Sequence, residues 1–221
     1  MRSGASPPRC ATVALVPARL RLVLIGAAAC LSAVLAAIAL AGLTEGSPPA
    51  SSSEGLQLGP TGFAGSVRPP GARAPALTRL RDERGRPAGS LPAGPVVFTF
   101  LYATCDDTCP IQVQQIRGAL DDLGRDVPVI GVSVDPASDT PDRARRFMTE
   151  QAMTGRMRFL LGNAAALEPV WRAFGIAPQI EGHDHSAYVV VVDRQGRQRV
   201  GFPASALTPE ALRHDLEKLG A

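Results

Sequence analysis

The run Phe98-Thr-Phe-Leu-Tyr-Ala-Thr-Cys-Asp-Asp-Thr-Cys-Pro110 constrains this chain more than any other, because it reads as a buried strand that breaks into a turn and feeds a helix. Two ionisable sulfurs, Cys105 and Cys109, therefore stand at a helix start. Partial positive charge and unpaired N–H groups at such a terminus stabilise a thiolate and lower its pKa. Sulfurs so placed do redox chemistry or bind metal. Far downstream, Gly182-His-Asp-His-Ser186 supplies a candidate imidazole.

The residues around this run predict a β-α-β unit. Val96–Leu101 and Val127–Val134 are β-branched runs of strand length, and Ile111, Ile116, Leu120 and Leu123 recur between them at helical spacing until Gly124. Asp139-Thr140-Pro141 offers a capping residue before a proline at a first helical position, opening a helix to about Gln151. A short strand over Met157–Leu161 and a helix over Ala164–Phe174 follow. Ala187–Val192 and Gln198–Phe202, joined by the turn Asp193-Arg-Gln-Gly196, read as a β-hairpin, and Thr208-Pro209-Glu210 caps a closing helix to about Leu219. A cysteine pair after the first strand of this order is the arrangement of a thioredoxin-like α/β domain, a central sheet flanked by helices.

The folded domain is expected over 77–221, and what precedes it differs in kind. Arg2, Arg9, Arg19 and Arg21 come before Glu45, the first acidic residue, and no charge falls between Leu22 and Leu43. At about 1.5 Å per residue that stretch spans about 33 Å as a helix, enough for a bilayer core. It reads as a membrane-spanning helix or a signal peptide, with Ala39-Leu40-Ala41 as a small-residue cleavage site, and an organelle transit peptide is a third reading. The length favours an uncleaved anchor over 22–43, after a short cytoplasmic N-terminus over 1–21. The remainder then faces the outer, extracytoplasmic side. Residues 44–76, rich in Ser, Pro and Gly, read as a flexible tether. The net charge of +3 gives no reason to expect nucleic acid as a partner.

Cys10 precedes the apolar span and Cys30 lies within it as a small apolar filler, which leaves Cys105 and Cys109 as a lone outer pair. A structural disulfide is the bland alternative. It fits poorly, since so short a loop restrains the unfolded chain little. The spacing is one residue wider than the C-x-x-C of thioredoxins, a loop able to spread two thiolates around one metal ion.

Three ordered blocks, Cys105-x-x-x-Cys109-Pro110 after an aromatic strand, Val132-Ser-Val-Asp135-Pro136 with Asp139-Thr140-Pro141, and Asp184-His185-Ser186 before an apolar strand, resemble the Sco/SenC family of membrane-anchored copper chaperones for cytochrome c oxidase. The likeness covers about Pro75 to Ala221. It implies a copper site formed by Cys105, Cys109 and His185, and delivery of copper to the dinuclear centre of oxidase subunit II, by a chaperone rather than an enzyme. Asp106 departs from the family pattern, in which proline often follows the first cysteine, and Asp106 with Asp107 sets negative charge beside the sulfurs.

Soft Cu(I) accepts two thiolates and one imidazole, whereas structural zinc takes four protein ligands. The same sulfurs suit Cu(II) as well, and their oxidation to a disulfide would abolish binding. The competing expectation is a thiol-disulfide oxidoreductase in which Cys105 attacks and Cys109 resolves; peroxide reduction is a weaker third.

By residue type alone His185 is a surface or hydrogen-bonded histidine, and only its position before a strand raises it to a ligand. His183 is an auxiliary candidate. His214 is expected to be solvated on the last helix. Asp135 and Asp139 read as turn or capping carboxylates, and Met148, Met153, Met157, Trp171 and Phe174 as core.

Overall fold

A computed structural model describes residues 56–179 and 187–221 of the chain. The strands in chain order are β1 (Ser66–Val67), β2 (Val96–Leu101), β3 (Val129–Ser133), β4 (Met157–Leu160), β5 (Tyr188–Val192) and β6 (Gln198–Pro203). The helices are α1 (Thr108–Leu123), α2 (Pro141–Glu150), α3 (Ala164–Phe174) and α4 (Pro209–Lys218), with one 3₁₀ turn at Ala204–Ala206. The expected elements are present, with their ends within one or two residues of expectation.

The six strands form one sheet in the order β1-β6-β5-β2-β3-β4. β2, β3 and β4 run parallel, with β3 and β4 each reached through a helix, while β5 and β6 form the expected antiparallel hairpin beside β2. In that hairpin's turn the Asp193 carboxylate accepts the N–H groups of Gln195 and Arg197, and Gly196 takes φ +75°.

Alternation along β2 distributes its side chains to two cores. Val97 and Leu101 face a core built with Val113, Ile116 and Phe147, whereas Val96, Phe98 and Phe100 face a second core with Leu167, Trp171 and Phe174. The Phe174 ring packs 4.8 Å from Phe98 and 5.1 Å from Phe100, centroid to centroid. The central strands β2 and β3 are buried along their whole length, as a sheet covered on both faces requires. Met148, Met153 and Met157 are buried in the first core, and Trp171 donates its indole N–H to the Ser133 carbonyl at 2.9 Å.

The structure corrects two expectations. The tether expected over 44–76 does not extend through its second half: residues 56–76 belong to the same compact unit as the domain. β1 pairs with β6, Ala74 donates to the Gly196 carbonyl, and Gln198 donates its N–H to the Ala72 carbonyl. Phe63 is buried, and the Asp215 carboxylate accepts the N–H groups of Ala64 and Gly65 at 2.8 Å each. Gly and Pro here serve close packing rather than looseness, since a Cβ on Gly65 would sit 2.7 Å from the Phe202 ring.

His214, expected to be solvated, is half-buried, its Nδ1 2.9 Å from Asp215 Oδ1. The buried carboxylate that holds the strap also engages the ring.

Among the described residues no helix is long and apolar enough to cross a membrane. The anchor expected over 22–43 lies outside the described residues.

Candidate metal centre

β2 ends at Leu101, and the chain must turn within a few residues to start α1. Two hydrogen bonds shape that turn. The Asp139 carboxylate accepts the Ala103 N–H at 2.7 Å, and the Cys105 N–H donates to the Tyr102 carbonyl at 3.3 Å. Asp107 stands at the N-cap of α1 without a side-chain cap hydrogen bond. Within the loop the Cys109 N–H donates to Cys105 Sγ at 3.3 Å. A sulfur thus takes an orphan donor of the helix start that a Ser, Thr or Asp oxygen commonly accepts.

The two sulfurs are thiols rather than a disulfide, and both are buried. Cys105 keeps 9 % exposure and Cys109 only 1 %, so the first is the reachable one. Their environments split their acidities. A hydrogen bond from the Cys109 side chain is the main cause that lowers Cys105 to about 6; burial opposes it, while the N–H groups of Asp107 and Cys109 and the Tyr102 side chain add to it. That hydrogen bond, followed by burial, pushes Cys109 above the ordinary thiol range. Burial, then the neighbouring Cys105 charge, raises Tyr102 to about 12, so it stays protonated and able to donate. The pair therefore holds one thiolate and one thiol at neutral pH. Asp106 and Asp107 are exposed to solvent.

Asp139 is not the cap of α2. That role falls to Thr140, whose side chain accepts the Arg143 N–H, with Pro141 opening the helix. Asp139 instead joins the cysteine loop to the end of β3, accepting the Ser133 hydroxyl at 2.5 Å as well as the Ala103 N–H. Burial raises its pKa to about 6. Sequence reasoning weighed Asp139 as a capping residue, and only the 36-residue separation from Ala103, closed by the fold, reveals its role. Asp135 behaves as expected of a turn residue, accepting the Ser138 N–H.

Gln112, which the sequence did not single out, lies one turn beyond Cys109 and is buried. Its amide donates to Thr99 on β2 and, at 3.4 Å, to the Tyr188 carbonyl at the start of β5, and among the described residues its Oε1 has no hydrogen-bond partner. The cysteine-bearing helix is thus tied to the strand that follows the histidine segment. His183 and His185 themselves lie outside the described residues. Among the described residues no group of three or more His, Cys, Asp or Glu side chains is placed to hold a metal ion, and the described contribution is the two sulfurs.

The family profile described as SCO1/SenC matches residues 79–221, the whole span from before β2 to the C-terminus. The chain belongs to the SCO1/SenC family. Among solved structures, ScoI of Bradyrhizobium japonicum with copper bound is 28% identical, with a TM-score of 0.54 over 65% of this chain and 98% of that one. A SCO1/SenC family lipoprotein of Bacillus anthracis, 20% identical, superposes with a TM-score of 0.59 over 71% of this chain and 100% of its own. Yeast Sco1 with copper bound is 17% identical, with a TM-score of 0.55 over 65% and 88% of the two chains. The last two likenesses speak to the fold alone. No curated protein matches the chain. The sheet and helices described above are those of a SCO1/SenC domain.

Proposed function

We propose that this SCO1/SenC protein is a membrane-anchored copper-binding chaperone that delivers copper, its cargo, to the dinuclear centre of cytochrome c oxidase subunit II. The observation that carries the reading is the pair of buried thiols at the start of α1, one of them lowered to about 6. A soft monovalent ion matches two sulfurs. The copper-bound state of the B. japonicum relative supports the same cargo.

Cys105 meets the ion as a thiolate, and Cys109 gives up its proton as the ion enters. His185 supplies the third ligand, and a site of three ligands releases its ion when a client's sulfur or imidazole adds before a resident ligand leaves. Residues 22–43 anchor the chain, with 1–21 in the cytoplasm and the domain on the outer side.

A Cu(I) titration of the reduced full-length protein tests this. One Cu(I) per chain is expected, with binding abolished in Cys105→Ser or Cys109→Ser and weakened more than about a hundredfold in His185→Ala, since removing a mere supporting partner of a ligand already costs 10–100-fold. Unaltered affinity in the cysteine variants would refute the copper reading.

A second reading, thiol-disulfide exchange with client cysteines, is favoured by the contrast between reachable Cys105 and enclosed Cys109. It predicts that His185→Ala leaves exchange rates unchanged.

A further inference from the structure

A cavity of about 360 Å³ opens beside the cysteine loop, between it and α2, lined among others by Cys105, Asp106, Arg143, Arg146, Phe147 and Glu150. Cys109 does not line it. Its size falls within the range of pockets that enclose small ligands and is too small for a folded partner. The lining is charged in both senses. Arg143 uses one nitrogen on the Ser138 carbonyl, and among the described residues Arg146 enters no hydrogen bond or ion pair. The adjacent Arg145, by contrast, is engaged, holding the Glu83 carbonyl and the Asp142 carboxylate. Glu150 and Asp106 complete the wall as carboxylates without an ion pair among the described residues.

We propose that this cavity binds a small thiol built from amino acids, and its disulfide, and presents that sulfur to Cys105. The carboxylates of such a molecule match Arg143 and Arg146, an ammonium group matches Asp106 or Glu150, and the buried Phe147 ring supplies an apolar wall.

The chemistry is reversible exchange. The Cys105 thiol loses its proton to solvent and attacks one sulfur of the small disulfide R–S–S–R, forming Cys105–S–S–R and releasing R–S⁻, which takes up a proton. Cys109, hydrogen-bonded to Cys105, then attacks the Cys105 sulfur, expelling the second R–S–H and closing a Cys105–Cys109 disulfide. In total one R–S–S–R becomes two R–S–H while the protein dithiol becomes a disulfide. The reverse direction, two R–S–H reducing the closed disulfide, regenerates the dithiol that the proposed copper site needs. The proposal goes beyond the copper reading and shares Cys105 and Cys109 with it, but not the cavity.

The test uses full-length protein carrying Cys109→Ser, so that the mixed disulfide on Cys105 persists, and follows its formation by mass spectrometry of the Cys105 peptide. Oxidised glutathione is the charged probe and bis(2-hydroxyethyl) disulfide the uncharged one. The rate with oxidised glutathione is expected to saturate with concentration. Adding Arg146→Glu, an exposed substitution, should slow that probe about tenfold and the uncharged probe less than about twofold, the ratio expected from reversing one partly screened ion pair. Arg146→Ala should fall between. A rate linear in oxidised glutathione, equal slowing of both probes, or a loss below about threefold with the charged probe overturns the site. Cu(I) titration of the unsubstituted protein reports on the copper reading separately, so the two fail independently.

Discussion

The cysteine loop and the N-terminal strap are held by the same device and put to different ends. Each is an irregular segment far in sequence from a buried carboxylate that accepts its N–H groups. Asp215 takes Ala64 and Gly65 together with His214; Asp139 takes Ala103 together with the Ser133 hydroxyl. The strap then closes over its anchor. Phe63 is buried beneath the Lys218 ammonium, 5.1 Å from its ring centroid, and the Arg199 guanidinium, 5.9 Å away. The cysteine loop stays open on one side, where Cys105 meets a cavity, and sulfur replaces oxygen as the acceptor at the helix start. Fixing backbone is therefore separable from doing chemistry: one carboxylate serves stability alone, and the other holds reactive sulfurs in place.

Four measurements probe that separation. Asp215→Ala strands two backbone N–H groups and should cost about 3 kcal/mol, read as a lower denaturation midpoint. Iodoacetamide labelling of Cys105 should keep its midpoint near pH 6 in that variant, rising with pH because the thiolate is the reacting form. A midpoint that moves would mean the two ends are coupled.

Asp139→Ala strands one N–H and should cost about 2 kcal/mol, and here the Cys105 labelling profile should shift as the loop loosens. Gly65→Ala drives a methyl group toward the Phe202 ring and should cost about 1–2 kcal/mol, with labelling of Cys105 unchanged.

The fourth effect is in pH dependence. The Asp139 carboxyl binds its proton more tightly folded, at about 6, than at its ordinary 3.8, so between these values the native state holds more protons and stability falls as pH rises. Across that whole window the change is at most about 3 kcal/mol, and it is absent from Asp139→Asn. Asp82 and Asp193, lowered chiefly against burial by N–H and Arg partners, act in the opposite sense, so the difference between the two proteins is the quantity to read.

Much of this domain was legible in the chain. The parallel strands announced themselves as β-branched runs, α1 as an apolar period ended by Gly124, and the hairpin as two strands around Asp193-Arg-Gln-Gly196, because each signal is local. Cys105 and Cys109 were legible for the same reason. The strap was not, since Gly and Pro describe a loose linker and a tightly packed edge equally well. Asp139, Asp215 and Gln112 were hidden because their partners lie 36, about 150 and 76 residues away.

By itself, the amino-acid order determined which segments become strand or helix and which side chains can bind a soft metal, because periodicity, caps and donor atoms reside in neighbouring residues. Tertiary structure alone decided that Cys105 is the acidic, reachable sulfur and Cys109 the enclosed one. Burial and hydrogen bonds split two chemically identical thiols, and both depend on what the rest of the fold brings against them.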